Sequence, residues 1–305
     1  MRRARPLLGT YVSVMVDGVD AATAVRASDD AFAAISRVER LMSFHHPHSD
    51  LSRLNREAGE RAVEVDAWTA LVLRTACRLR RDSGGRFDVA VVSALQRQGL
   101  LPGVPAVDAG EAAHAAHSTA AFADGTDSAP TIAFLPGHRL RFLRPGLQLD
   151  LGGIAKGFAL DRACAVLRRH RVPTAVVEAG GDVAVIGDHT IAIRDPRCPG
   201  RELRRLRLRD QAVATSAHYF IGERAPAAVA AIIDPQRGEA CADYASVTVR
   251  ARSGMLADAL TKVVMLDGER AAPLLERHGA EALVVTHDGR QFASAALHQE
   301  AVDAA

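Results

Sequence analysis

Apolar and polar residues alternate over Leu7–Val16, the period-two pattern of a strand with one buried face. The spacing then becomes helical, with Val25, Ala31, Phe32, Ile35, Val38 and Leu41 on one face of Asp20–Leu41. A histidine-rich turn, His45-His46-Pro47-His48, leads to a shorter helix over Ser49–Glu57, whose first turn Ser49 is placed to cap. Asp66 stands likewise before a helix over Ala67–Arg81 that stops at Gly84-Gly85. Phe87–Leu95 is a short apolar segment.

The pattern breaks at Gly103–Pro130, rich in Ala, Gly, Asp, Ser and Thr, which predicts a flexible insertion with one short helix and no chemistry. Beyond it, Thr131–Leu135 and Arg139–Leu143 predict a hairpin around Pro136-Gly137. Leu147–Leu151 reads as a strand, Gly152–Arg169 as a helix and Ala175–Glu178 as a strand. Short strands follow Gly180-Gly181-Asp182 as far as Val249. Helices over Met255–Leu266 and Ala271–Arg277 come next, and two last strands end near Ala293. Strand runs with few helices predict an α+β fold rather than a doubly wound sheet. The expected division is 1–102, the insertion 103–130, and 131–305, with no internal repeat.

Composition narrows the picture. The chain has 305 residues, 48% hydrophobic and 24% charged, ordinary values for a folded globular protein. Its mainly apolar stretch Ala225–Ile233 falls far short of the ~20 residues that span a bilayer. A formal charge of +2 gives no basic excess that argues for nucleic acid. All but two of the 38 Lys and Arg residues are Arg, and the exceptions are Lys156 and Lys262. A compact ammonium does what a planar guanidinium cannot, so these two positions are places to look for chemistry. Asn55 and Trp68 are the sole Asn and Trp. Cys77, Cys164, Cys198 and Cys241 lack paired spacing and are expected to be free thiols. Arg2, Arg3 and Arg5 precede an apolar run that Gly9, Thr10, Tyr11 and Ser13 dilute, so this start reads as a strand rather than a leader. The expectation is a cytoplasmic chain as given, or a periplasmic one if an export segment is missing.

The densest motif is Leu149-Asp150-Leu151-Gly152-Gly153-Ile154-Ala155-Lys156-Gly157-Phe158. A helix start offers N–H groups and positive partial charge to an anion, and glycines let a ligand approach. The residue order is not that of a Walker A loop, and the segment reads either as a phosphate cradle or as a tight strand–helix turn. Alone, Gly180-Gly181-Asp182 reads as a hairpin or bulge and Thr215-Ser216 as a strand end. Asp258 and Lys262 lie one helical turn apart, either as a plain ion pair or as a carboxylate facing a diphosphate, directly or through a cation. His45, His46 and His48 are too crowded to converge on one ion, and no zinc site is expected there.

These blocks, in this order, resemble the FAD:protein FMN transferase (ApbE) family. The resemblance runs from Leu8-Gly9-Thr10 to Ala257-Asp258-Ala259-Leu260. Between them lie Met42-Ser43-Phe44, Ser49 to Asn55, Phe87-Asp88, Asp150 to Gly157 with Asp161, Gly180-Gly181-Asp182, Thr215-Ser216 and Ile232-Ile233-Asp234-Pro235. It implies a T-fold-like α+β architecture of mixed or antiparallel sheets. The implied activity moves FMN from FAD to a Thr or Ser hydroxyl of a partner flavoprotein, releasing AMP with the help of Mg²⁺. By position it places FAD contacts at Leu8, Phe44, Arg86, Phe87, Asp88, Asp150, Lys156, Thr215 and the backbone of Ala230. Asp258 and Lys262 are assigned to catalysis, and Gly153, through a backbone carbonyl, and Asp258 to the metal.

Two departures stand out. The family usually has His before Ile-Ile-Asp-Pro, where it serves as base, and this chain has Ala231. His218, three residues after Thr215, is the nearest candidate replacement. Where the family carries a metal-ligating Thr one turn after Asp258, this chain carries Lys262, which is expected to replace or weaken the need for one metal ion. Ala231 also leaves open an FAD pyrophosphatase or a non-catalytic FAD-binding protein.

Overall fold

The alternating segment at the start yields two strands rather than one. Strands β1 (Arg2–Leu7) and β2 (Thr10–Asp17) pair antiparallel with Leu7 opposite Thr10. The two-residue turn holds both Leu8 (φ 56°) and Gly9 (φ 70°) in the left-handed region, whose twist suits a hairpin. The single strand expected over Leu7–Val16 is therefore the second arm of a hairpin.

The computed structural model describes residues 1–102, 131–217, 232–295 and 297, so the expected insertion at 103–130 lies outside the described residues. The chain forms two compact units. One comprises Met1–Glu39, Gly153–Gly222 and Ala242–Ala305, the other Arg40–Gly152 and Glu223–Cys241.

The second unit holds α2 (Asp50–Glu57), α3 (Ala67–Asp82) and α4 (Val92–Arg97). The caps read from sequence are in place: Ser49 Oγ accepts from Ser52 N–H (3.0 Å) and Asp66 Oδ1 from Trp68 N–H (2.9 Å). Strands β3 (Val63–Glu64), β4 (Ile132–Leu135) and β5 (Arg139–Phe142) form a small antiparallel sheet in the order β3-β5-β4, and the short β11 (Ile233–Asp234) pairs with β12 (Glu239–Ala240). Leu147–Leu151 is not a strand. The Asn55 side chain takes the place of a neighbouring strand, accepting from Leu149 N–H (2.8 Å) and donating to Leu149 C=O (2.9 Å). Asp150 N–H donates to Val89 C=O (2.8 Å), so this backbone is satisfied without a ladder.

The first unit holds an antiparallel sheet together with α1 (Ala21–Met42, most of which lies here), α5 (Ala155–Arg169) and α6 (Gly254–Asp267). Its further strands are β6 (Thr174–Ala179), β7 (Asp182–Ile186), β10 (Ala212–Ala217), β13 (Ser246–Ala251), β14 (Glu281–Val285) and β15 (Gln291–Ala293). The strand order is β1-β2-β6-β7-β10-β13-β14-β15. Helix α5 packs on β6 and β7, and α6 packs on β10 and β13. A separate hairpin, β8 (Asp188–Asp195) with β9 (Cys198–Arg209), places Ile193, Leu206 and Leu208 against Val183, Val185, Val213 and Leu283. Cover on both faces explains why every residue of β7 is buried. Helix α5 begins at Ala155 rather than Gly152, because Gly152 N–H turns back to Asp150 Oδ2 (2.9 Å) within the second unit.

This mixture of helices and antiparallel sheets is an α+β fold. Among the described residues no helix is long and apolar enough to cross a membrane, and all four cysteines are free.

Candidate active site

Helices α5 and α6 cross at glycines. A Cβ on Gly157 would lie 2.0 Å from the Gly254 carbonyl oxygen and 2.8 Å from the Asp258 Cβ. Without side chains there, each helix start is served by a carboxylate of the other helix. Asp258 Oδ2, from α6, accepts from Gly157 N–H in the first turn of α5 (3.1 Å). Asp161, from α5, accepts from Ser253 Oγ (2.7 Å), Gly254 N–H (2.7 Å) and Met255 N–H (3.0 Å) at the start of α6. Each carboxylate answers N–H groups that have no intrahelical partner.

Both lysines of the chain converge on this crossing. Lys156 Nζ lies 2.8 Å from Asp182 Oδ2 and 3.5 Å from Asp258 Oδ1. Lys262 Nζ lies 2.5 Å from Asp258 Oδ1 and 3.0 Å from the Asp258 carbonyl oxygen. Asp182 comes from the β6–β7 hairpin, whose turn holds Gly180 (φ 58°) and Gly181 (φ 96°). Its other oxygen accepts from Thr215 N–H (3.2 Å). A line of hydroxyls completes the floor. Thr215 Oγ1 meets Thr248 Oγ1 (2.9 Å), Ser216 Oγ meets Thr261 Oγ1 (2.8 Å), and Thr261 Oγ1 donates to the Asp258 carbonyl (2.7 Å).

The four charges balance, but they are layered. The Asp258 side chain is 0% exposed and that of Asp182 4%, whereas Lys156 retains 31% and Lys262 22%. The carboxylates form the floor and the ammonium groups the rim, so an approaching anion meets positive charge first. Burial works to raise the Asp258 pKa, but Lys156 and Lys262 outweigh it and hold the group below the usual carboxylate range. Burial pushes Asp182 above that range despite Lys156. Burial also opposes the charge on Lys156, yet Asp258 and Asp182 prevail and hold its ammonium above the ordinary lysine value.

The Mg²⁺ donors expected from the sequence do not fit the ion here. Both Asp258 oxygens are engaged, Oδ1 by Lys262 and Oδ2 by the Gly157 N–H. The Lys262 stem also runs over Gly153, where an added Cβ would lie 3.3 Å from Lys262 Cε. The stem thus packs on Gly153 while the ammonium holds Asp258 Oδ1. Mg²⁺ needs about six hard oxygen ligands in near-octahedral array. Among the described residues no three His, Cys, Asp or Glu side chains gather to hold a metal.

The remaining sequence candidates are distributed as follows. Leu8 sits in the β1–β2 turn, its N–H on Glu39 Oε1 (2.8 Å). In the second unit, Arg86 Nη1 binds Asp234 Oδ2 (3.1 Å) and Gln236 Oε1 (3.3 Å). Asp88 Oδ2 accepts from Arg80 Nε (2.7 Å), Phe87 is buried, and Phe44 stands edge-on to His45. Asp150 binds Gly152 N–H, as described above. His218, Ala230 and Ala231 lie outside the described residues. Asp182 was not among the site residues read from sequence, although the Gly180-Gly181-Asp182 block formed part of the family resemblance.

The ApbE family model matches residues 8–284 of this chain. The FAD:protein FMN transferase of Treponema pallidum is 30% identical, over 97% of this chain and 87% of that protein. That of Rhodobacter capsulatus is 32% identical over 94% of this chain, which spans 56% of that longer protein. Among solved structures, the ApbE protein of Thermotoga maritima aligns over 98% of both chains with a TM-score of 0.80 and 26% identity. The flavin transferase ApbE of Vibrio cholerae, at a TM-score of 0.78 and 24% identity over 98% of both chains, shares the fold. A site of this charge pattern on this fold, with these relatives, makes the protein a transferase. The chain belongs to the ApbE family.

Proposed function

We propose that this protein transfers FMN from FAD to a Thr or Ser hydroxyl of a partner flavoprotein and releases AMP. The observation that carries the reading is the ammonium rim of Lys156 and Lys262 above buried Asp258, which caps the start of α5. In the reaction the acceptor oxygen bonds to the phosphorus of the FMN half as the bond from that phosphorus to the AMP phosphate oxygen breaks. The hydroxyl proton passes to water or to the departing phosphate. Negative charge grows on the oxygens of the transferring group and on the leaving AMP. Two fixed ammonium groups, held in place by Asp258 and Asp182, stabilise that charge without rearranging at the moment of reaction. Thr215 and Ser216 line the floor, their hydroxyls held by Thr248 and Thr261. The donor set does not fit Mg²⁺, and no step is assigned to it.

Ala231, in the place of the usual His, supports a second reading in which water replaces the acceptor hydroxyl and the products are FMN and AMP. Incubation with FAD and a flavoprotein acceptor separates the two. AMP with flavin bound covalently to the acceptor supports transfer, AMP with free FMN supports hydrolysis, and intact FAD contradicts both.

A further inference from the structure

We infer that Lys262 is a built-in substitute for a divalent cation, so that FAD binds through its diphosphate equally well with and without Mg²⁺. The inference rests on the flavin-transfer reading and identifies what supplies the second positive charge. Three observations tie the Lys262 side chain to both residues expected to hold an ion. Nζ lies on Asp258 Oδ1 and on the Asp258 carbonyl at once. The stem lies over Gly153, whose carbonyl was the other expected donor. The i,i+4 spacing on α6 fixes the side chain along the helix that also carries Asp258. A lysine so placed repels a second cation and closes Asp258 to it. It also stays in position when the free metal concentration changes, whereas a bound ion dissociates.

The test is to titrate the protein with FAD, followed by flavin fluorescence, in EDTA and in Mg²⁺, with Mn²⁺ binding read separately by electron paramagnetic resonance. The variants are Lys262→Thr and Lys262→Met, each checked for folding by circular dichroism. Expected for the wild type are FAD affinities within about twofold in the two buffers and no Mn²⁺ at the Asp258 site. Lys262→Thr should lose at least tenfold in FAD affinity in EDTA, recover it with Mg²⁺ and bind Mn²⁺. Lys262→Met, which keeps the stem but not the charge, should lose affinity in EDTA. Wild-type FAD binding that appears only with Mg²⁺, or stoichiometric Mn²⁺ that Asp258→Asn abolishes, overturns this inference and leaves the transferase reading standing. No FAD binding in either buffer overturns both. If neither variant folds, the two wild-type measurements still decide.

Discussion

Gly157 and Gly254 meet backbone to backbone: a Cβ on Gly157 would lie 2.0 Å from the Gly254 oxygen, and one on Gly254 would lie 2.6 Å from the Gly157 oxygen. This contact lets Asp258 reach the first turn of α5 and Asp161 reach the first turn of α6. The two helices cap one another, and the charged rim is a consequence of that crossing.

Gly157→Ala should therefore destabilise the protein by about 3 kcal/mol, the upper part of the range for overpacking, because the obstruction is backbone that cannot rotate away. Chemical denaturation of the variant against the wild type measures it. A change below 0.5 kcal/mol, well under the range expected for overpacking, would mean that the helices do not cross so closely.

Asp258 is the shared partner of two ammonium groups, and Asp258→Asn leaves both without it. Breaking a buried pair in this way costs about 3–5 kcal/mol at neutral pH. The pH dependence follows from its depressed pKa. The stabilising contribution is complete above the unfolded carboxylate value of about 3.9 and disappears as pH falls through the lower folded value. The gap in stability between wild type and Asp258→Asn should be full near neutrality, begin to narrow near about pH 4 and close only below the depressed folded value. A gap that widens on acidification would reverse the assigned sign.

Asn55→Ala removes both hydrogen bonds to Leu149 and leaves a buried backbone segment without its partner, at a cost of about 2 kcal/mol. Amide exchange at Leu149 is the specific readout. It should speed up in the variant, and unchanged protection would show that another group satisfies this backbone.

Thiol reactivity separates the cysteines. Burial pushes Cys164 up to about 12 and Cys77 up to about 11, while Cys198 is exposed. Thiolate forms as pH rises through these values, so at pH 8 the native protein should label rapidly at Cys198 and not at Cys164 or Cys77. Peptide mapping after brief alkylation checks this, with the unfolded protein labelling at all sites.

Much of the fold could be read locally. Ser49 and Asp66 announced two helices because caps act within one turn, and the alternation around Leu7–Val16 announced a strand. The convergence of Lys156 and Asp258 was legible because two rare lysines stood in motifs of recognisable order. Other features depend on residues distant in sequence. Leu147–Leu151 looks like a strand until Asn55, far upstream, is seen to act as its neighbour. Leu8 gives no sign by itself of a turn, since an apolar side chain at positive φ is uncommon. Asp182 joins the site through the Gly180-Gly181 hairpin, which fixes its direction without any signal in the residue itself. That each compact unit draws on separated stretches of chain is likewise invisible to local pattern.

The most direct test of the central claim is to incubate a flavoprotein acceptor with FAD and either wild type or Lys156→Met, then read acceptor mass and released AMP. The account predicts one FMN per acceptor with equimolar AMP for the wild type, and a loss of at least a hundredfold in rate for a Lys156→Met protein that retains its fold. Transfer at the wild-type rate by Lys156→Met would contradict it.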